Sequence, residues 1–144
     1  MGFDQTREFL LKLPRVEETL QWDAVVFWVG DKAIGGKMFA VLDPEPGGPH
    51  VLSFAVPQDS YHDLLEIEGV RPAPYLARAH WVAVESWKVF PPGDLHQHLQ
   101  RAYERVLAKL PRSAQRVLEA TDRDYRTAVR EKRAAAKAAP KTRK

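Results

Sequence analysis

His96 and His98 are the first residues whose type and spacing suggest chemistry, namely metal binding. On a helix, side chains two residues apart point about 200° apart and cannot share one ion. The other histidines, His50, His62 and His80, are scattered along the chain. The run from Gly30 to Lys37, with Gly35-Gly36 before the lysine, resembles a phosphate-binding loop. Its lysine is one residue out of place, and Met38 stands where a magnesium-holding hydroxyl is needed. A strand rather than a helix follows, so no positive helix end meets the anion. Ser53, Ser60, Ser86 and Ser113 lack the glycine flanks of a nucleophile elbow. The carboxylate pairs Glu17-Glu18 and Glu66/Glu68 lie where exposed acids ordinarily lie. No catalytic residue, metal ligand or other cofactor site is assigned from these patterns.

The cations are more informative. Residues 1–111 hold 11 Lys and Arg against 15 Asp and Glu, a balance of −4, whereas residues 112–144 hold 11 against 4, a balance of +7. The net +3 therefore conceals a mildly acidic body and a strongly basic C-terminal quarter. Projected as one helix, Arg112, Arg116, Arg123, Arg126, Arg130, Arg133 and Lys137 fall within a sector of roughly 100°. Ala114, Val117, Leu118, Thr121, Tyr125, Ala128 and Val129 fall opposite. The pattern predicts an amphipathic helix that docks its apolar side and holds an arginine ridge outward. Such a ridge suits phosphate contact, and equally serves as a solvated face.

Stretches that must position these groups can be read in order. Residues 4–13 form a short helix closed by Pro14. Ala24–Val29 and Ala33–Leu42 are strands joined by a turn at Gly30-Asp31, with a bulge or close backbone approach at Gly35-Gly36. In the second strand Met38, Ala40 and Leu42 share one face, and Lys37, Phe39 and Val41 the other. Asp43–Pro49 is a proline- and glycine-rich loop, His50–Val56 a strand and Pro57–Ile67 a helix. Gly69–Trp87 begins as a stiff loop with prolines at 72 and 74, carries Arg71, Tyr75, Arg78 and His80, and ends in a strand over His80–Trp87. Leu95, Leu99, Ala102, Val106 and Leu110 form one helical stripe with Asp94 as the N-cap, and a further helix runs from Ser113 to about Arg133. The order predicts an α+β fold, an antiparallel sheet with helices packed on one face. It divides into a domain over 1–111, a basic amphipathic helix over 112–133 and a disordered basic tail over 134–144.

Several of these segments together resemble the MmcQ/YjbR family. They are Glu17-Glu18 before an aromatic strand, Gly36-Lys37-Met38-Phe39-Ala40, Gly69-Val70-Arg71-Pro72-Ala73-Pro74-Tyr75 leading to His80-Trp81-Val82, and a closing helix with Ala102-Tyr103 and Leu107-Ala108-Lys109-Leu110. The resemblance covers about residues 4–111. It implies a two-layer fold similar to the CyaY-like one, with DNA binding through a double-wing arrangement and no established catalytic residues. Carried over by position, Lys37, Arg71, Tyr75, His80 and Trp81 are the residues that could touch nucleic acid.

The expected function is non-enzymatic DNA binding of low sequence specificity. In this reading the tail arginines 112, 116, 123, 126 and 130 supply affinity, and Lys37, Arg71, Arg78, His80 and Trp81 position the body. The alternative is a small-molecule or protein-interaction module using the sheet face or the 69–80 loop. No apolar run approaches the ~20 residues needed to span a bilayer. The absence of cysteine fits a reducing cytoplasm, and no membrane partner is expected.

Overall fold

In the computed structural model, residues 2–138 are described, apart from Pro46 and Tyr75. Six strands form one antiparallel sheet in the order β1-β2-β3-β4-β6-β5. They are β1 (Val16–Gln21), β2 (Ala24–Val29), β3 (Lys37–Leu42), β4 (Leu52–Ala55), β5 (Val70–Pro72) and β6 (Trp81–Val84). Helix α1 (Phe3–Leu11) packs on β1, α2 (Gln58–Leu65) on β5 and β6, and α3 (Pro92–Lys109) on β2, β3 and β4. This is the α+β arrangement that the apolar patterning predicts.

Two strands escape the sequence reading. The polar run Val16–Gln21 is an edge strand, paired residue for residue with β2 through a two-residue turn at Trp22-Asp23. Both turn residues have positive φ, 54° and 59°, as a type I′ hairpin requires. Asn-Gly ordinarily signals that turn, and Trp-Asp does not. At the opposite edge, β5 is three residues long and ends in Pro72. An edge tolerates a proline because the outward side of the strand needs no N–H donor. The Gly69–Trp87 stretch is therefore a pair of antiparallel strands around a 3-10 turn at Ala77–Ala79, and β6 is shorter than predicted. Tyr75 lies outside the described residues.

The connection from β2 to β3 is not the tight turn expected at Gly30-Asp31. Asp31 caps a 3-10 turn over Lys32–Ile34, its Oδ1 accepting from Ala33 N at 2.8 Å, and Gly35 reverses the chain at φ 96°. Gly36 then donates its N–H to the Asp31 carbonyl at 3.0 Å. A Cβ at Gly36 would lie 2.0 Å from the Gly30 carbonyl oxygen, so the predicted close backbone approach is real. The bulge falls three residues beyond Gly36. Trp28 pairs with Met38 and Phe27 with Ala40, leaving Phe39 as the extra residue. That extra residue turns Phe39 into the core, edge-on to Tyr103 with ring centroids 5.7 Å apart, so it does not share an outward face with Lys37.

Along α3, Leu95, Leu99 and Ala102 are buried as predicted, and Tyr103 adds a hydrogen bond from its hydroxyl to the Pro14 carbonyl at 2.6 Å. Asp94 lies inside the first turn, and Pro91 occupies the cap position. The C-terminal helix departs further from expectation. It is two helices, α4 (Arg112–Glu119) and α5 (Asp122–Ala138), broken at Ala120-Thr121. Thr121 starts α5, with its Oγ1 accepting from Asp124 N at 3.1 Å. The alanines at 134–136 favour helix strongly, so α5 continues past Arg133 to Ala138. The predicted disordered tail over 134–144 is thus helical in its first five residues. Residues 139–144 lie outside the described residues.

Both helices dock through the apolar side that the projection identifies. Ala114, Leu118, Tyr125 and Val129 are buried in the same core as the sheet. Gly30, at φ 78°, has no room for a side chain because Leu118 fills the space, and Ala114 meets Gly35. Arg15 holds the break. Its Nε donates to the Leu118 carbonyl at 3.0 Å, Nη2 to the Ala120 carbonyl at 2.6 Å and Nη1 to Asp122 Oδ1 at 2.7 Å. Its guanidinium lies 4.5 Å from the Tyr125 ring centre. One arginine thereby satisfies carbonyls at the end of α4 and an acid at the start of α5. The Tyr125 hydroxyl donates to Glu17 Oε2 at 2.7 Å and accepts from Asp31 N at 3.0 Å, and Arg133 pairs with Asp31.

These contacts give two expected outcomes. Gly36→Ala drives a methyl into backbone that cannot move aside, and is expected to cost about 3 kcal/mol or more in chemical denaturation. Burial, then the hydrogen bond to Glu17, raises the Tyr125 pKa above its ordinary 10.0. An unfolded phenol ionises first on raising the pH, so stability is expected to fall as pH passes above 10. Tyr125→Phe should cost about 1–3 kcal/mol at neutral pH by orphaning its partners, and should flatten that alkaline fall. An unchanged alkaline slope in urea melts of the variant would contradict the assignment.

Candidate nucleic-acid interface

Lys37 is the first residue of β3, exposed, and placed immediately after the Gly36 backbone contact. Arg78 sits in the 3-10 turn before β6, and His80 ends that turn in the left-handed region at φ 61°. The backbone of His80 is fixed on both sides, its N–H donating to the Ala77 carbonyl at 3.0 Å and its carbonyl accepting from Val56 N at 2.9 Å. Its ring meets Tyr61 edge-on at 5.0 Å. Trp81 pairs with Ala55 and is 5% exposed, which makes it a wall of the core and not a free stacking platform.

These four residues converge. Lys37, Arg78, His80 and Trp81 line one pocket of about 410 Å³, together with Arg105 and Lys109 from α3 and Gln58 at the start of α2. Four full positive charges face this volume and no carboxylate lines it. Among the described residues none of the four cations is in an ion pair. Like charges held around one concave volume repel each other, and an anion relieves that repulsion.

Arg71 is not part of the group. It lies in β5 opposite Ala83, and its guanidinium donates to the Pro49 carbonyl, tethering the proline-rich loop. The arginine ridge is also changed, because a ridge over 112–137 needs one unbroken helix and the stop at Ala120-Thr121 breaks it. Arg112 and Arg116 are exposed on α4, and Arg123, Arg126 and Arg130 are exposed on α5. Arg126 and Arg130 border a second pocket of about 670 Å³, but Glu17 and Asp31 line it as well. Arg133 is taken up by Asp31.

A smaller pocket of about 200 Å³ shares Ala55 with the basic one and is lined by Ser60, Asp63, His98 and Arg101. Burial, then the Arg101 charge, lowers the pKa of His98, while Asp94 works in the other direction. His98 packs against Phe90 with centroids 4.8 Å apart, whereas His96 stacks on Phe9 at 4.1 Å. The two histidines are thus bound into different aromatic contacts. Ser60 Oγ turns to Asp59 at 3.5 Å.

Sequence reasoning missed Arg105 and Lys109. With Arg101 they recur every fourth residue along one flank of the α3 apolar stripe, a signal that was available. Nothing in the sequence connects that flank to Lys37, because the packing of α3 across β3 is tertiary.

Among the described residues no helix is long and apolar enough to cross a membrane. The chain resembles solved structures over most of its length. It covers 90% of the crystal structure of the Deinococcus radiodurans protein DR2400, which carries the DUF419 domain. There, 84% of this chain superposes with a TM-score of 0.69 and 23% identity. A Pseudomonas syringae protein gives a TM-score of 0.62 at 18% identity, over 74% of this chain and 99% of that one. At these identities the likeness establishes the fold. No curated protein matches the chain. The sequence model of the YjbR family matches residues 11–105, from the end of α1 to Arg105 on α3. With all six strands, α2 and most of α3 inside that match, the chain belongs to the YjbR family.

Proposed function

We propose that this chain is a non-enzymatic DNA-binding protein of low sequence specificity, and that its pocket of Lys37, Arg78, Arg105 and Lys109 is the phosphate-holding site. The observation that carries this reading is the meeting of four unpaired cations from β3, the turn before β6 and α3 around one volume without a carboxylate. Lysine and arginine directed at phosphate confer affinity and register but read no sequence. The exposed arginines 112, 116, 123, 126 and 130 add general attraction for a polyanion. In this reading the pocket leads and the tail assists, the reverse of the order that net charge alone favours.

A ligand- or protein-binding reading has one observation of its own. A groove of about 1040 Å³ runs between Thr19, Gln21 and Trp28 on the sheet and Ala134 and Ala136 on α5. It is largely apolar and would suit an organic ligand or a peptide.

Removing residues 112–144 is a poor test of the tail, because Leu118 and Tyr125 are core residues and their loss would uncover Gly30 and Asp31. Charge reversal separates the contributions. At moderate salt, Lys37→Glu/Arg105→Glu is expected to weaken binding of a duplex by at least about tenfold. It should also reduce the slope of log affinity on log salt by about 2, since each phosphate left without its cation lowers the slope by about 0.9. Arg123→Ala/Arg126→Ala/Arg130→Ala should have a smaller effect. A pocket variant that keeps its fold by circular dichroism and binds like the parent in fluorescence polarisation refutes the proposal.

A further inference from the structure

The shape of the basic pocket bears on which phosphate it takes. Its volume of about 410 Å³ falls in the range of small-ligand sites. A duplex backbone presents phosphodiesters in a row, each with one negative charge. Here the cations do not form a row. Lys37 comes from a strand, Arg78 from a turn, and Arg105 and Lys109 from successive turns of α3, all around one concave, open-mouthed space. Several cations around one point are better matched by a group that concentrates about two charges on one phosphorus. A phosphate monoester does so at neutral pH, with its second pKa near 6.

Further features of the pocket fit a monoester that carries an organic part. Gln58, the first residue of α2, lines it. The N-terminus of α2 has no side-chain cap, and as first-turn donors the Gln58 and Asp59 N–H groups have no helical carbonyl one turn earlier to bond. The Ser60 N–H is already used, on the Pro57 carbonyl at 3.0 Å. Ala55, Trp81 and Val106 also line the volume and add apolar surface to it. Cations and apolar surface in the same pocket match a sugar-borne phosphate better than a bare inorganic ion.

Resting on the phosphate reading of the pocket, we infer that it captures a terminal phosphate monoester of nucleotide chemistry, held by Lys37, Arg78, Arg105 and Lys109, in preference to a running phosphodiester. The monoester has two sources, the 5′ end of a strand or a free nucleoside monophosphate, and both present the same group.

The test compares one single-stranded 12-nucleotide probe with a 5′-phosphate and with a 5′-hydroxyl, by fluorescence polarisation on the full chain. The 5′-phosphate is expected to tighten binding at least about tenfold at neutral pH. That increment should shrink as the pH falls below about 6, where the monoester takes up a proton. Lys37→Ala/Arg105→Ala should abolish the increment, whereas Arg123→Ala/Arg126→Ala/Arg130→Ala should leave it in place. Competition with a nucleoside 5′-monophosphate distinguishes the sources. Displacement at concentrations similar to those of the phosphorylated probe indicates a free nucleotide, and displacement only at much higher concentrations indicates a strand end. Equal affinity for the two probes overturns the inference. If Lys37→Ala/Arg105→Ala then weakens both probes alike, backbone binding at the pocket survives alone. If it weakens neither, both readings fall.

Discussion

The approach of Gly36 to the Gly30 carbonyl is the constraint on which the rest of this molecule turns. It compresses the β2–β3 connection into a capped 3-10 turn whose surface carries two glycines and one buried aspartate. Gly30 and Gly35 leave the space into which Leu118 and Ala114 settle, and Asp31 presents its N–H to Tyr125 and its carboxylate to Arg133. The same turn ends at Lys37, so one loop seats the C-terminal helices and delivers a cation to the basic pocket. A side chain at Gly36 would meet backbone, which has no rotamer to change.

Arg15 completes that arrangement from the other side. A helix end buried without partners for its carbonyls is costly, and α4 ends against the body. The guanidinium supplies donors to two of those carbonyls and to Asp122, and its flat face rests on Tyr125. A lysine has no planar fork to do all three at once. Arg15 itself adopts φ 61°, uncommon for a residue with a Cβ, and its carbonyl accepts from Gly30 N at 2.8 Å. Local backbone strain at Arg15 is offset by the contacts its side chain and carbonyl make.

Charge behaves differently in three dimensions from the way it sums along the chain. The body is net −4, yet several of its acids are engaged in holding structure. Glu18 pairs with Arg7, Glu17 accepts from Tyr125, and Asp31 serves Ala33 and Arg133. The Arg7–Glu18 pair is substantially exposed, so its contribution to stability is small. Its effect on the electrostatic surface is to cancel the Glu18 charge locally. The cations of the pocket keep theirs, and a weakly acidic domain can still carry a positive cavity.

The sequence by itself determined the class of fold, because apolar periodicity depends only on local geometry. The apolar run in Ala24–Val29 and the four-residue stripe in α3 report burial against a core wherever that core lies. It also carried the apolar side of the C-terminal helices and the close approach at Gly35-Gly36, since few residue types permit either. Tertiary structure decided what depends on the meeting of distant groups. The strand at Val16–Gln21 is polar and joined by an unusual Trp-Asp turn, so its pairing with β2 reveals it and its composition does not. The break at Thr121 follows a Thr-x-x-Asp capping pattern, yet it matters because Arg15, more than a hundred residues away, binds both sides of it. The basic pocket joins positions 37, 78, 105 and 109. Sequence spacing says nothing about such a cluster, because α3 crosses the sheet through packing and not through chain connectivity.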